Sequence, residues 1–175
     1  MISDLDYPLQ IVSVILVIRC EGKYLLVQRS SNDDVFPGKW QNLGGKVELG
    51  ETVEQAIKRE VNEEIGLKLD KHPFFLQSYS WKKDSNSPIR LGLIFLFELP
   101  GKLRNYKIKI NPELANFKWF TFEEAKNFNE RDKLIGKDSP TGTFGQLSRA
   151  TLLKSSLITT KETIFKNKGA LPNHL

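Results

Sequence analysis

Residues 45–67 read GKVELGETVEQAIKREVNEEIGL and predict the best-defined helix of the chain, from Thr52 to Ile65. Thr52 is suited to cap the N-terminus because Gln55 follows three positions later, the spacing of a capping box. Gly66 supplies the kind of residue that commonly ends a helix in the left-handed conformation. The sequence therefore predicts a helix with clear signals at both ends.

Acidic residues crowd one side of this helix. Glu60, Glu63 and Glu64 stand at i, i+3 and i+4, where each like-charge pair costs about 0.2–0.5 kcal/mol. They also oppose the helix dipole and border its apolar stripe, where a charge loses hydration. A hard divalent cation such as Mg²⁺ or Mn²⁺ is the simplest compensation, since both prefer oxygen ligands. The alternative is a solvated acidic helix end neutralised by Lys58 or Arg59.

A longer pattern covers the same stretch. It matches G-x5-E-x7-R-E-U-x-E-E-x-G-U without a gap, where U is aliphatic, and it resembles the Nudix box of the Nudix hydrolase family. The fixed positions are filled by Gly45, Glu51, Arg59, Glu60, Glu63, Glu64 and Gly66, and the aliphatic ones by Val61 and Leu67.

The resemblance extends over roughly residues 10–130. Segments similar to elements of MutT-like nucleotide pyrophosphatases are LLVQRS at 25–30, FPGKW at 36–40 and NPELANFKWFTFEEA at 111–125. Leu43 departs from the pattern, because many relatives have proline before the glycine pair. The implied fold is an α/β (α+β) Nudix-type α/β/α sandwich, a mixed β-sheet flanked by helices.

The resemblance also implies metal ligands. Glu60 and Glu64 are expected to bind the metal, and Glu63 is expected either to bind it or to orient and deprotonate water. The Gly44 carbonyl is a further expected ligand, next to a glycine pair that allows close backbone approach. Glu113 resembles a carboxylate that a loop contributes in some relatives, with a solvated loop glutamate as the alternative.

The catalytic set implied by the resemblance comprises Glu63, Glu60, Arg59 and Glu51. Here Glu51 and Arg59 are expected to hold the other glutamates in place through charge-assisted hydrogen bonds.

Basic and aromatic residues supply candidates for substrate binding. Arg29, Lys39 and Lys46 are candidate phosphate contacts, with ordinary surface charges as the alternative. Trp40 and Trp81 are candidates for stacking on a base, but packing in the core or at its rim is the favoured role for both.

Patterns elsewhere predict the remaining elements. Alternating apolar runs and turn residues indicate strands, and capped or periodic segments indicate helices. The expected elements are strands at 10–19, 24–28, 74–81, 91–99 and 117–120, loops at 30–41 and 138–145, a helix at 121–128 and a terminal helix at 146–157.

Length and charge suggest one domain with an extension. The 175 residues fit a Nudix domain at 1–130 and a basic extension at 131–175, whose helix we expect to pack on the same domain. The last 45 residues hold eight Lys and Arg against three Asp and Glu, so the net charge of +5 lies there.

Location is inferred from cysteine use and hydropathy. The single cysteine, Cys20, allows no disulfide within the chain and fits a reducing compartment. The apolar runs are shorter than the roughly 20 residues that a membrane span requires, and no charged leader precedes them. We therefore expect a cytoplasmic protein with no membrane partner.

The resemblance to Nudix hydrolases implies metal-dependent hydrolysis of a phosphoanhydride bond in a nucleoside diphosphate linked to a group X. A (deoxy)nucleoside triphosphate is the favoured substrate, with Mg²⁺ or Mn²⁺ as cofactor. Alternatives are a hydrolase of nucleotide sugars or dinucleoside polyphosphates, and a nucleic-acid-binding or regulatory module motivated by the basic end at 131–168. A nucleotide is the expected partner, nucleic acid is not favoured, and the oligomeric state is left open, with a homodimer as one option.

Overall fold

The computed structural model describes residues 10–34, 36–82, 85–131, 133–136, 142–143, 146–148 and 150. Seven strands, two α-helices and a short 3-10 helix are assigned within them. In chain order they are β1 (Gln10–Cys20), β2 (Lys23–Arg29), β3 (Trp40–Gln41), β4 (Leu43–Lys46), α1 (Val53–Ile65), β5 (Phe74–Trp81), β6 (Ile89–Glu98), the 3-10 helix (Leu103–Asn105), β7 (Leu114–Phe120) and α2 (Phe122–Glu130).

All seven strands belong to one mixed sheet. Its main path runs β3-β2-β1-β6-β5, with β4 paired to β1 and β7 paired to β2. The β1·β6 pair is parallel and the other pairs are antiparallel. On one side, β1 pairs with β4 through residues 13–16 and with β2 through residues 18–20, so β4 fills the place beside β1 that β2 leaves open.

Helices cover both faces of the sheet. Alternating residues of β1 point to opposite faces, so Leu16 and Ile18 pack in one core cluster and Val17 in the other. The first cluster includes the apolar face of α1, and the second includes Ala125 of α2. The fold class predicted from the sequence, a mixed sheet flanked by helices, is confirmed.

Two short strands were not predicted. Residues 30–41 were expected to form a loop, but Trp40 and Gln41 pair with β2 as β3. The next strand, β4, contains Gly44 and Gly45, and glycine is uncommon in strand interiors. Its extended conformation depends on pairing with β1, which no local pattern reveals.

The extension is described only in part. Residues 143, 146–148 and 150 are helical, so helix begins inside the segment predicted as a loop at 138–145, while 151–157 of the predicted terminal helix lie outside the described residues. Leu147 and Ala150 are buried in the same core cluster as Trp40. The proposed boundary at residue 130 stays a prediction.

No helix in the described part of the chain is both long and apolar enough to cross a bilayer.

Candidate active site

The site begins with the caps that fix α1. Thr52 Oγ1 accepts the Gln55 N–H at 3.2 Å, and Gln55 Oε1 accepts the Thr52 N–H at 2.7 Å. At the other end Gly66 is left-handed, at φ 68°, and donates its N–H to the Asn62 carbonyl at 3.0 Å. Both ends are therefore as predicted. The apolar residues Ala56, Ile57, Val61 and Ile65 turn one side of α1 toward the sheet.

The strand β4 is the surface on which the acidic side of α1 rests. A β-carbon on Gly45 would lie 1.9 Å from Glu60 Oε1, so the Glu60 carboxyl group occupies the space that any other residue would need. At Gly44, φ is 147° and a β-carbon would lie 2.1 Å from the Val14 carbonyl oxygen. The two glycines therefore allow the Glu60 carboxyl group and the backbone of β1 to approach β4 closely.

Glu64 is the buried acid of the site. It is 8% exposed, and its Oε2 accepts the Gly44 N–H at 3.1 Å. Burial raises its pKa to about 8; the Gly44 hydrogen bond opposes this shift, while the negative charges of Glu60 and Glu113 add to it and Arg29 lowers it. A positive charge at this position would relieve the energetic cost of ionising Glu64.

Arg59 ties the surrounding acids to one another. Its Nε and Nη2 donate to the two oxygens of Glu51 at 3.1 and 2.6 Å, and its Nη1 donates to Glu60 at 2.8 Å and Glu63 at 3.3 Å. Nη2 also donates to the Lys46 carbonyl at the end of β4, at 2.9 Å. Hydrogen bonding to Glu51 raises the pKa of Arg59, and that of Glu51 is lowered in turn.

The expected metal ligands differ in how the structure holds them. The Glu63 side chain is 53% exposed and contacts Arg59, whereas the carboxyl groups of Glu60 and Glu64 contact the glycines of β4. Among the described residues, no three Asp, Glu, His or Cys side chains are already gathered around a single ion position. Still, the oxygen donors and the raised pKa of buried Glu64 suit a hard divalent cation. Gly44 contacts the site through its N–H, while its carbonyl stays a predicted ligand.

Glu113 comes close to the α1 acids from another element. It lies directly before β7, where its carbonyl accepts the Ser30 N–H at 3.0 Å. Its charge contributes to the raised pKa of Glu64. Arg29 and Glu113 also line a pocket of about 350 Å³. The structure thus brings Glu113 within electrostatic range of Glu64, although the two are distant in sequence.

The three predicted phosphate contacts lie at or next to the ends of strands β2, β3 and β4. Arg29 ends β2, forms an ion pair with Asp33 and donates from Nη1 to Gln41 Oε1 at 3.5 Å. Lys46 ends β4 and is exposed. The Lys39 carbonyl accepts the Arg29 N–H at 3.0 Å, which places its backbone beside β2.

Trp40 requires a correction. It is 7% exposed, and its ring makes edge contacts with Phe120 and Phe128, whose centroids lie 5.2 and 6.0 Å away. The ring is enclosed by the core, so the structure gives Trp40 the packing role that was favoured over stacking on a base, and its place among the candidate substrate contacts is withdrawn. Trp81 ends β5, and its side chain lies outside the described part of the chain.

A cleft of about 250 Å³ opens beside β4, and sequence reasoning missed most of its polar lining. Gly44 and Gly45 form part of its wall, together with Arg29. The missed residues are Asn42, Tyr79 and Gln146. Asn42 stands beside the quoted glycine pair, which is the one available signal. No sequence signal identifies Tyr79 or Gln146, because folding of β5 and of the extension places them beside the cleft.

Comparison with known proteins agrees with this geometry. A family model described as the NUDIX domain matches residues 8–138. The nucleoside triphosphatase NudI of Klebsiella pneumoniae (strain 342) is 32% identical over 119 residues, which cover 65% of this chain and 83% of that protein.

Solved structures share the fold. A NUDIX hydrolase from Nitrosomonas europaea superposes with a TM-score of 0.62 at 23% identity, covering 82% of this chain and 90% of that one. The NUDIX domain of Shewanella oneidensis NrtR, crystallised with ADP ribose, superposes with a TM-score of 0.58 at 19% identity, covering 72% and 82%. The family model matches most of the chain, and the acidic side of α1 packs against Gly44 and Gly45 of β4. The chain is therefore an enzyme of the Nudix hydrolase family.

Proposed function

We propose that this enzyme hydrolyses a phosphoanhydride bond of a nucleoside triphosphate in the presence of Mg²⁺ or Mn²⁺. The observation that carries the proposal is Glu64, a carboxylate held by the Gly44 N–H inside the protein, with Glu60 and Glu113 near it. Its similarity to a protein named nucleoside triphosphatase favours the triphosphate over other nucleotides.

Divalent metals are generally used by Nudix hydrolases, and the donors here suit one. Glu60 and Glu64 would hold the ion, with Glu63, Glu113 and the Gly44 carbonyl as further ligands. A bound Mg²⁺ supplies positive charge against the phosphates and lowers the pKa of a coordinated water. Two buried or half-buried acids close to one another are the donor set that such an ion neutralises.

The protein's own residues then have distinct tasks. Arg59 holds Glu60 against β4, and Glu51 in turn holds Arg59 through both carboxylate oxygens. Glu63 is the exposed member and has only a 3.3 Å contact to Arg59, so it can turn toward a water and accept its proton. Arg29 and Lys46, at the ends of β2 and β4, would contact phosphate oxygens.

The test is a hydrolysis screen of NTPs, dNTPs, oxidised dNTPs, nucleotide sugars, ADP ribose and dinucleoside polyphosphates, with and without Mg²⁺. We expect the triphosphates to be hydrolysed fastest, and EDTA to abolish turnover. Glu63→Gln should lower kcat at least about 100-fold, in the range of a lost general base. The matched control is Glu54→Gln, an exposed glutamate of the same helix that pairs with Lys58 at 2.6 Å.

Three results would contradict the proposal. Faster hydrolysis of ADP ribose, nucleotide sugars or dinucleoside polyphosphates would favour the alternative substrates. Turnover in EDTA would exclude the metal requirement. Equal activity of Glu63→Gln and Glu54→Gln would remove Glu63 from the mechanism. The binding-module alternative predicts no turnover, together with nucleic-acid affinity that weakens steeply with salt.

A further inference from the structure

The cleft of about 250 Å³ adjoins the carboxylates without containing them. Gly44 and Gly45 line it, and these same residues carry the contacts to Glu64 and Glu60. Its volume lies just below the roughly 300–1,000 Å³ of cavities that enclose a drug-sized ligand. A whole nucleoside triphosphate does not fit, so the cleft suits one part of it while the phosphates remain outside, near the acids.

Part of the cleft wall comes from the C-terminal extension. Gly142, Thr143 and Gln146 line it, although the family match ends at residue 138. Two hydrogen bonds anchor the extension to the domain: the Ile135 N–H donates to the Trp40 carbonyl at 3.0 Å, and Arg19 Nη1 donates to the Ala150 carbonyl at 3.1 Å. A segment beyond the matched family domain is thus built into the site.

Two side-chain amides meet at this wall. Asn42 and Gln146 are 6% and 5% exposed, and Asn42 Nδ2 donates to Gln146 Oε1. Asn42 Oδ1 is buried and has no hydrogen-bond partner among the described residues. A buried acceptor without a hydrogen bond destabilises the folded state, and no described residue donates one to Asn42 Oδ1. The unpaired Asn42 oxygen is therefore suited to accept a hydrogen bond from a ligand.

An aromatic side chain lines the same cleft. The Tyr79 ring lies against the backbone of Gly92 in the neighbouring strand, so closely that a β-carbon there would be 2.3 Å from Cε1. Aromatic rings bind flat heterocycles by stacking, and an amide contributes directional hydrogen bonds to a base edge. The unpaired oxygen of Asn42 is an acceptor, so it suits an N–H donor on a base and not a phosphate oxygen, which is itself an acceptor.

We propose that this cleft holds the nucleobase of the substrate and that the Asn42 amide, positioned by Gln146 from the extension, accepts a hydrogen bond from an N–H on the base edge. The inference rests on the proposed function for its substrate. The χ2 torsion of asparagine has a broad minimum, so a small rotation of the amide brings Oδ1 to the ligand. Gln146 is a positioning residue, since it acts through Asn42.

The first measurement uses the unmodified protein. Side-chain amide NMR resonances of Asn42 and Gln146 are followed while AMP, GMP, CMP, UMP or ribose 5-phosphate is added, in Mg²⁺ and in EDTA. We expect at least one mononucleotide to shift both pairs of resonances, and ribose 5-phosphate to leave them in place. Equal shifts from ribose 5-phosphate, or none from any nucleotide, would overturn the proposal.

The second measurement compares variants by calorimetric Kd and by kcat and KM on the four NTPs. Asn42→Leu should weaken the preferred mononucleotide about five- to tenfold, the value of one neutral hydrogen bond, and leave ribose 5-phosphate affinity unchanged. Gln146→Met should shift base preference in the same direction through KM, with kcat retained. The matched control is Asn129→Leu, which removes another amide with a buried unpartnered oxygen, outside the cleft.

The two proposals fail separately. If the parent hydrolyses nucleotides and both cleft variants keep its base preference, the cleft assignment is wrong and the hydrolase proposal stands. If the parent hydrolyses no triphosphate but binds mononucleotides through Asn42, the cleft assignment stands and the triphosphatase proposal is wrong. If Asn42→Leu does not fold, Gln146→Met and the NMR measurement decide.

Discussion

Glu60 and Gly45 are packed so tightly that the glycine α-hydrogen faces the carboxyl group, with only 1.9 Å between Oε1 and the position of an added β-carbon. The Glu60 carboxyl group therefore fills the space beside Gly45 that a larger residue in β4 would occupy. Since Arg59 Nη1 donates to the same oxygen at 2.8 Å, the Glu60 carboxylate is fixed from two sides. The spacing of the two glycines and the acid is therefore a requirement of the site's geometry.

Gly45→Ala should displace Glu60 and reduce activity strongly. The added methyl group overpacks the contact, which costs about 1–3 kcal/mol of folding stability and moves a proposed ligand. Thermal unfolding and kcat on the preferred nucleotide measure the two effects. In a double-mutant cycle, adding Glu60→Ala should restore stability but not activity. If Gly45→Ala alone keeps the stability and kcat of the parent, the contact is not restrictive.

The raised pKa of Glu64 predicts a pH dependence of stability in metal-free protein. The ordinary value is 4.5 and the folded value is about 8, so the folded state binds more protons than the unfolded state between these pH values. The contribution of Glu64 to stability should be fully present below about pH 4.5 and fall as pH rises toward 8, by up to about 1.4 kcal/mol per pH unit.

Urea unfolding in EDTA at several pH values between 5 and 8 measures this slope. Glu64→Gln should flatten it, whereas Glu123→Gln, an exposed glutamate of α2, should leave it unchanged. Added Mg²⁺ should stabilise the parent more at pH 8 than at pH 6, because binding requires the ionised carboxylate. An identical slope in Glu64→Gln and the parent would show that another group causes it.

Arg59→Lys tests whether the paired hydrogen bonds to Glu51 matter beyond charge. Lysine keeps the positive charge but cannot bind both carboxylate oxygens in the planar geometry of guanidinium. We expect kcat to fall roughly 10- to 100-fold, the usual effect of losing a residue that orients metal ligands. Arg104→Lys, an exposed arginine of the 3-10 helix, is the control. Unchanged kcat in Arg59→Lys would mean that charge alone suffices.

Trp40→Phe separates the core role of this residue from a substrate role. Because the ring packs against Phe120 and Phe128, the smaller side chain should leave a cavity and cost about 1–3 kcal/mol. The KM values for the four NTPs should keep their order, since Trp40 does not line the cleft. Urea unfolding and steady-state kinetics provide both numbers. A changed base preference with unchanged stability would return Trp40 to the list of substrate contacts.

Local signals predicted the elements with capped ends most closely. The α1 helix was expected at 52–65 and is found at Val53–Ile65, and Thr121 caps α2 as expected, with Glu124 completing a capping box. These signals act within a few residues of the chain, so they are readable without a structure. The short strands β3 and β4 lacked such signals, and they were missed.

Three contacts of the site show where pattern reasoning ends. Trp40 has an aromatic ring that suits a ligand or a core equally well, and only the arrangement of β2, α2 and the extension encloses it. Glutamate side chains are usually exposed to solvent, yet packing against β4 buries Glu64. Asn42 and Gln146 are 104 positions apart and meet across the cleft.

The order of residues along the chain was enough to specify the carboxylate helix, its ends and the family pattern, because helix periodicity and capping depend on near neighbours. Folding of the sheet decided which carboxylate is desolvated, which glycine makes room for another, and which amide lines the cleft beside β4. Desolvation and packing are set by segments that are distant along the chain but adjacent in space, and short-range pattern carries no information about those neighbours.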